Sequence, residues 1–263
     1  MRVREISIAA VICAAGSSSR MRGIKKEYLP LPPPSPSGKP VTVLGAAVSA
    51  FASSTQIGPI VVTVTPDSEN GINAAKASLP EELRSNEQSG NPQQRIFFVP
   101  GGPTRRASVY NALKFLESHN PAYVLIHDGA RPWIKGDLIE KIIKAAISYG
   151  AVIPALPLIE TPKEFSGFPE PAAGPEVPAL IKRHLRRTEL CTAQTPQGFR
   201  FPEILTAHEK AREKEERENY EYTDDAEVWG EFIGQVAVIP GDPENRKITY
   251  PEDLVSTNTH TGT

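Results

Sequence analysis

Four cations, Arg20, Arg22, Lys25 and Lys26, follow directly on an apolar run in "VICAAGSSSRMRGIKKEYLPL" (11–31), across a turn of Gly and Ser. A Gly/Ser turn after a strand lets backbone N–H groups approach a phosphate, and a basic cluster neutralises it. The pattern is neither Gly-Lys-Ser/Thr opening a helix nor G-x-G-x-x-G, since Gly16 stands alone in the turn. On these residues alone, a phosphate cradle and a surface loop with solvated cations stand equally.

Three further clusters invite chemistry. In "GGPTRRASVYNAL" (101–113), Thr104 is placed to cap a helix, and Arg105 and Arg106 fall in its first turn. Cations there oppose the helix dipole. They call for an anionic partner, faced also by Ser108, or form a tolerated basic turn. In "VLIHDGARP" (124–132), an apolar strand delivers His127 and Asp128 to its carboxyl end, with Arg131 just beyond. Asp128 suits a divalent ion or a sugar hydroxyl. His127 suits a base or, more commonly at a strand end, a structural hydrogen-bonder, because the sequence supplies no orienting partner. The C-terminal third holds "RRTELCTAQTPQGF" (186–199), "YTDDAEVW" (222–229) and "NRKITYPEDL" (245–254). Thr223 reads as a helix cap and Pro251 as a helix start, which leaves Lys247, in a last short strand, without a structural task.

The elements that must position these residues alternate. Strand-like runs cover 6–15, 59–65, 96–100, 123–128, 151–157 and 236–240. Helical patterns cover 41–53, 70–79, 104–117, 136–149, 202–218 and 224–233. Several strands are continuously apolar, as strands covered on both faces are. The expected architecture is α/β, a mostly parallel, doubly wound sheet, with ligands bound beyond the carboxyl ends of its strands. Two segments break the rhythm: a Pro/Ser loop at 31–40 and a Pro-rich stretch at 157–198, read as an excursion that leaves the sheet and returns. The run 208–219 reads as a charged helix face.

The 263 residues suit one large domain or one domain with an appendage, with 39% apolar and 23% charged residues. A net charge of -2 excludes a global field that recruits nucleic acid. Cys13 and Cys191 cannot build a disulfide framework, and a reducing cytosol fits. Arg2 and Arg4 before a short apolar run imitate a secretory signal, but Glu5 interrupts the basic part, and the run reads better as a first buried strand. No apolar run reaches the ~18 residues of a membrane span.

Taken in order, "AAGSSSRM…KKEYLPL", "GGPTRRASV", "HDGARP", "ETPK", "AQTPQGF", "YTDDA" and "NRKITYPEDL" resemble the 2-C-methyl-D-erythritol 4-phosphate cytidylyltransferase family over nearly the whole chain. The resemblance implies a Rossmann-like nucleotidyltransferase fold in a single domain (1–263). It also implies a projecting β-arm (157–198) that contacts the partner of a homodimer. The implied activity is transfer of CMP from CTP to methylerythritol phosphate with release of pyrophosphate, assisted by Mg²⁺ or another divalent ion, in the cytoplasm. By the same resemblance, Arg20 and Lys26 are the catalytic cations. Ala14, Ala15, Gly16, Gly102, Ser108, Asp128 and Gly129 bind the nucleotide, and Asp128 also binds the metal. Arg131, Thr161, Arg187, Thr195, Thr223 and Lys247 hold the sugar phosphate, with Thr161 and Arg187 supplied by the other subunit's arm.

The chain departs from the family pattern in places. Ser18 stands where Gly is usual, Glu27 where Gln is usual, Pro103 where an acidic residue often follows the double glycine, and Glu160 where Asp is usual. The arm carries a Pro-rich insertion around 165–180, and the 31–40 loop is long. Two rivals share the motifs: a cytidylyltransferase for ribitol 5-phosphate or another polyol phosphate, and a non-catalytic CTP-binding dimer.

Overall fold

The computed structural model describes residues 6–21, 23–32, 41–66, 68–84, 96–167 and 178–254. Arg22, most of the 31–40 loop and the centre of the Pro-rich arm insertion lie outside the described residues.

The first strand, β1 (Ile8–Cys13), is buried along nearly its whole length. Its side chains alternate between two cores. Ile8, Ala10 and Ile12 face one side, packed with α1 (Val43–Ala52) and α5 (Gly136–Tyr149). Ala9 and Val11 face the other, packed with α4 (Arg105–Leu116), α6 (Glu203–Glu218) and Trp229 of α7 (Asp225–Phe232). Helices on both faces explain the continuous apolar run, since neither face of the strand meets water. α5 shows the matching helical period: Leu138, Ile142 and Ala145 lie along one stripe, with Ile139, Ile143 and Ala146 beside it, all buried.

The remaining strands are β2 (Ile57–Val64), β3 (Ile96–Pro100), β4 (Tyr123–Asp128), β5 (Ala151–Pro157), β6 (Lys163–Phe165), β7 (Ile181–His184), β8 (Cys191–Ala193), β9 (Gln197–Arg200) and β10 (Ala237–Pro240). Helices α2 (Ser68–Ser78) and the short α3 (Glu81–Arg84) follow β2. The main sheet runs β10-β5-β9-β4-β1-β2-β3, with β8 also paired to β5. β1, β2, β3 and β4 are mutually parallel, as are β5 and β10. β9 inserts antiparallel between β4 and β5, and β8 pairs antiparallel with the end of β5.

The sequence reading of alternating strands and helices holds, with four strands added. β9 and β8 were hidden in the 157–198 stretch. Residues 191–198 therefore belong largely to the main sheet, and the part that stands apart is the β6–β7 hairpin, whose two strands pair only with each other and are exposed throughout. Lys247 is not in a strand: the last strand ends at Pro240, and 245–250 run as an irregular segment. α7 is capped by Asp224 rather than Thr223, the carboxylate accepting from the Glu227 N–H at 2.8 Å. No described helix is long and apolar enough to cross a membrane.

Candidate active site at the carboxyl ends of the strands

β1 and β4 end side by side, Cys13 opposite Asp128 in the parallel register. The chain leaves β1 toward one side of the sheet and enters β4 on the other, so the strand order reverses here. A crevice opens at such a point. A cavity of about 610 Å³ fills it, lined by the turns that follow β1, β2, β3 and β4 and by the 247–249 segment. That is the size range of small-ligand sites.

The turn after β1 is built by local contacts. Lys25 donates through Nζ to the Gly16 carbonyl and lies 3.7 Å from Glu27. The Ser18 hydroxyl donates to Glu27 Oε2 at 3.2 Å, and Ser18 takes the left-handed conformation, φ 51°. Thus the two departures at 18 and 27 touch each other, and Lys25 is a paired cation rather than one of four free ones. The other two described cations of the stretch, Arg20 and Lys26, line the cavity. Burial pulls the Lys26 ammonium below its ordinary value. Glu27 opposes the shift, and Lys247 and Arg20 add to it by repulsion. Like charges crowded in this way favour an anionic ligand.

The turn after β3 requires its glycines because backbone and side chains approach closely. A Cβ on Gly101 would collide with Ala15 and come within 2.8 Å of Ser108 Oγ, and one on Gly102 would meet the Ala107 methyl at 2.5 Å. Ser108 Oγ accepts from the Gly102 N–H at 3.0 Å and donates to the Thr104 carbonyl at 2.9 Å. Thr104 caps α4 as expected, its hydroxyl accepting from the Ala107 N–H. Pro103 lines the cavity beside them.

Asp128 is the centre of charge. Its carboxylate lies 2.9 Å from Lys247 Nζ, 3.3 Å from Arg105 Nε and 3.4 Å from Arg131 Nε. Burial alone would raise its pKa, but Arg105, Lys247 and Arg131 outweigh burial and hold the carboxyl well below the usual range. The segment that delivers Lys247 is tied by polar side chains. Asn245 Nδ2 donates to the Thr195 carbonyl at 2.7 Å, Gln194 Nε2 to the Asp242 carbonyl at 2.9 Å, and Arg131 Nη1 to the Asn245 carbonyl at 2.8 Å.

The residues singled out from the sequence divide into groups. Ala15, Gly16, Arg20, Lys26, Gly102, Ser108, Asp128 and Lys247 come together on the cavity wall. Ala14 and Gly129 are buried: Ala14 donates its N–H to Thr63, and Gly129 to the Cys13 carbonyl. Arg131 is turned to Asp128 and the Asn245 carbonyl. Thr195 is buried, and its hydroxyl is engaged by the Asp128 N–H and His127. Thr223 is exposed, its hydroxyl given to Glu227 at 2.8 Å. Thr161 and Arg187 sit exposed in the region of the hairpin, with Arg187 Nη1 on the Ile159 carbonyl, and neither lines the cavity.

Sequence reasoning passed over Arg105 as a site residue. Its guanidinium lines the cavity and spans Asp128 and Asp225, with Nη1 2.9 Å from the Asp225 carboxylate. The anion called for by a basic first turn is therefore supplied by the first turn of α7. Burial disfavours the Arg105 charge, yet Asp225, Cys13 and Asp128 together raise its pKa well above the ordinary value.

Neither Cys13 nor His127 is poised as a nucleophile or base here. Burial pushes the Cys13 thiol up to about 12, only partly offset by Arg105. Burial likewise pulls His127 down to about 4, and both ring nitrogens are used inside the fold. Among the described residues no group of three or more His, Cys, Asp or Glu is gathered for a metal. Three carboxylate residues line the cavity, Glu27, Asp128 and Glu221; Glu27 is engaged by Ser18 and Lys25, and the carboxylate at the strand ends is that of Asp128. It fits a hard ion that keeps water and ligand phosphate oxygens as its other partners, as Mg²⁺ does.

A profile of the 2-C-methyl-D-erythritol 4-phosphate cytidylyltransferase family matches residues 8–261. The chain is 38% identical over 250 residues to the bifunctional enzyme IspD/IspF of Bradyrhizobium sp. (strain ORS 278), covering 94% of this chain and 54% of that protein. It thus spans about half the length of that relative. It is 36% identical over 249 residues to the 2-C-methyl-D-erythritol 4-phosphate cytidylyltransferase of Pelotomaculum thermopropionicum, covering 94% and 91% of the two chains. Among solved structures, the 4-diphosphocytidyl-2C-methyl-D-erythritol synthase of Anaerococcus prevotii superposes with a TM-score of 0.70 at 25% identity, covering 96% and 95%. The 2-C-methyl-D-erythritol 4-phosphate cytidylyltransferase of Thermus thermophilus gives 0.62 at 28%, covering 93% and 94%. A match over nearly the whole chain, in sequence and in fold, makes the chain a member of the 2-C-methyl-D-erythritol 4-phosphate cytidylyltransferase family.

Proposed function

We propose that the chain transfers CMP from CTP to 2-C-methyl-D-erythritol 4-phosphate, releasing pyrophosphate, as a step of isoprenoid precursor synthesis. The observation that carries this reading is the cavity itself: Arg20, Lys26, Arg105 and Lys247 converge on one crevice around Asp128, in a chain of this family.

In the reaction, an oxygen of the acceptor phosphate forms a bond to the α-phosphorus of CTP. The bond from that phosphorus to the bridging oxygen breaks, and its electron pair leaves with pyrophosphate. The attacking group is already an anion, so the chain needs no base. The protonated Cys13 thiol and the internally bonded His127 agree with a direct transfer. The protein's part is positioning and charge stabilisation. Arg20 and Lys26 face the triphosphate and offset the charge that builds on the equatorial oxygens and leaving group. The turn at 14–16 and Gly102 let nucleotide approach the backbone, with Ser108 holding Gly102 in place. Lys247, freed from Asp128, binds acceptor phosphate. Asp128 would be the residue to hold a Mg²⁺, which would supply further neutralisation of the triphosphate.

The exposed hairpin bears Ile159, Leu180 and Ile181, each more than half exposed. This supports a homodimer in which the arm of one subunit brings Thr161 and Arg187 to the other's cavity. The free Cys13 and Cys191 fit a reducing cytoplasm.

The test is pyrophosphate release from CTP and Mg²⁺ with methylerythritol phosphate and ribitol 5-phosphate side by side. Preference for the first is expected. Preference for ribitol 5-phosphate keeps the nucleotide half and overturns the acceptor. Silence with both, alongside CTP binding, makes the chain a binding protein.

A further inference from the structure

Arg105 is held at two points of different character. Toward the protein interior, Nη1 meets the Asp225 carboxylate at 2.9 Å, and that carboxylate is 1% exposed. Toward the cavity, Nε meets Asp128 at the longer distance of 3.3 Å. The inner anchor cannot follow the guanidinium outward. Asp225 opens α7, where a negative charge also suits the helix dipole. Gln197 staples that helix start to β9, donating to Asp224 at 2.8 Å and accepting from the Ala226 N–H at 3.0 Å. His208, fully buried in α6, stands 3.3 Å from the other Asp225 oxygen.

The outer contact is replaceable. Before acceptor binds, Asp128 keeps Lys247 at 2.9 Å and Arg131 at 3.4 Å when Arg105 turns away, and Arg131 remains once Lys247 moves to the acceptor. Arg105, by contrast, would keep the buried Asp225 carboxylate, which has His208 beside it and no other Arg or Lys partner among the described residues. A guanidinium presents several donors in a fixed fork, so one edge can stay on Asp225 while another serves a phosphate oxygen. A ligand bearing phosphates arrives with more negative charge than Asp128 offers.

We propose that Arg105 is a further phosphate-contacting cation of this cavity, positioned by Asp225, and that its contact with Asp128 is exchanged for nucleotide phosphate. The inference rests on the reading of the cavity as a nucleoside triphosphate site. Arg105 touches the phosphates. Asp225 acts through Arg105 and keeps the guanidinium from collapsing onto Asp128, where it would compete with the incoming ligand.

The experiment measures CTP affinity by titration calorimetry without acceptor, with and without Mg²⁺, and then KM for CTP and kcat by pyrophosphate release. The proteins are the wild type, Arg105→Gln, Arg105→Lys and Asp225→Asn, each checked for folding by circular dichroism. Loss of a charged hydrogen bond should weaken CTP binding by about tenfold or more in Arg105→Gln, and Arg105→Lys should recover much of it. Asp225→Asn should raise KM for CTP by about tenfold with kcat little changed. A merely structural Asp225 would lower the folded fraction and leave KM alone. CTP affinity and KM within roughly twofold of wild type in folded Arg105→Gln overturn the proposal. If that variant does not fold, an unchanged KM in Asp225→Asn overturns it instead. Wild-type protein that binds CTP without turnover would count against the proposed reaction, while the calorimetry still decides the role of Arg105.

Discussion

Thr195 and His127 share a hydrogen bond of 3.0 Å whose direction can be deduced. His127 Nε2 faces the Arg131 carbonyl at 3.1 Å, and a carbonyl only accepts. Nε2 therefore carries the proton and Nδ1 the lone pair, so the Thr195 hydroxyl donates to Nδ1. The same oxygen accepts from the Asp128 N–H at 3.0 Å. One chain of bonds thus fixes the backbone on both sides of the central carboxylate. Thr195→Val, of similar shape, should strand two buried polar groups at about 1–3 kcal/mol each. Thr195→Ser should stay near wild type. Urea unfolding checks this. A Val variant of unchanged stability with a raised acceptor KM would instead give Thr195 the substrate-binding role that its resemblance suggests.

His127 makes stability depend on pH. Burial pulls its pKa down from 6.5 to about 4. Between those values the unfolded chain binds the proton and the folded chain does not, so stability rises with pH. The contribution is fully present above the unfolded value and is lost as pH falls toward about 4. At about 1.4 kcal/mol per unit, moving from pH 7 to pH 5 should cost about 2 kcal/mol from this group. Asp128 adds nothing in that window, because a carboxyl held below its usual range loses its contribution only at more acid pH. Denaturant unfolding at the two pH values, in wild type and His127→Gln, checks the assignment: the variant should lose most of the slope.

The sheet was legible because the strands of the parallel core are buried on both faces and so are apolar without a break. β9 was not. It is four residues long, and Gln197 within it is 1% exposed because its amide staples α7 rather than because it is apolar. Lys247 was singled out from the sequence and does line the cavity, but it was placed in a strand. Its segment is in fact held by the side chains of Asn245 and Gln194, which no alternation of polarity records. Arg20 and Lys26 stood out because they cluster locally after a turn. The Arg105–Asp225 pair joins the starts of two helices far apart in the chain, and the packing of α4 against α6 and of α6 against α7 brings them together. Thr104 gave its cap correctly from the local pattern. Thr223 did not, since Asp224, one residue on, is the better acceptor for α7.

Ser18 sits at φ 51°, a region that costs a residue with a Cβ about 1–2 kcal/mol. Its hydroxyl bond to the buried Glu27 offsets part of that. Ser18→Ala keeps the backbone cost and loses the bond, so it should destabilise by about 1 kcal/mol. Ser18→Gly also loses the bond but relieves the backbone, and should fall within about 0.5 kcal/mol of wild type. Equilibrium unfolding of the pair is the check. Equal losses in both variants would mean that the conformation carries no penalty here.

Lys25 and Lys26 are adjacent, yet they should fail differently when removed. Lys26 lines the cavity with its ammonium crowded by Arg20 and Lys247. Lys25 is spent on the Gly16 carbonyl and Glu27. Lys26→Ala should therefore lower kcat by about 10²–10³, the usual loss for one well-placed donor to a transition state. Lys25→Ala should leave kcat within about tenfold of wild type. Its larger effect should be on nucleotide KM and on the melting temperature, because the turn proposed to present its backbone to phosphate loses its tie and Glu27 loses its counter-charge. Steady-state kinetics with both substrates varied, beside thermal melts, separates the two. A Lys26 variant that keeps more than about a tenth of wild-type kcat would remove that residue from the chemistry and leave Arg20, Arg105 and Lys247 to carry the charge.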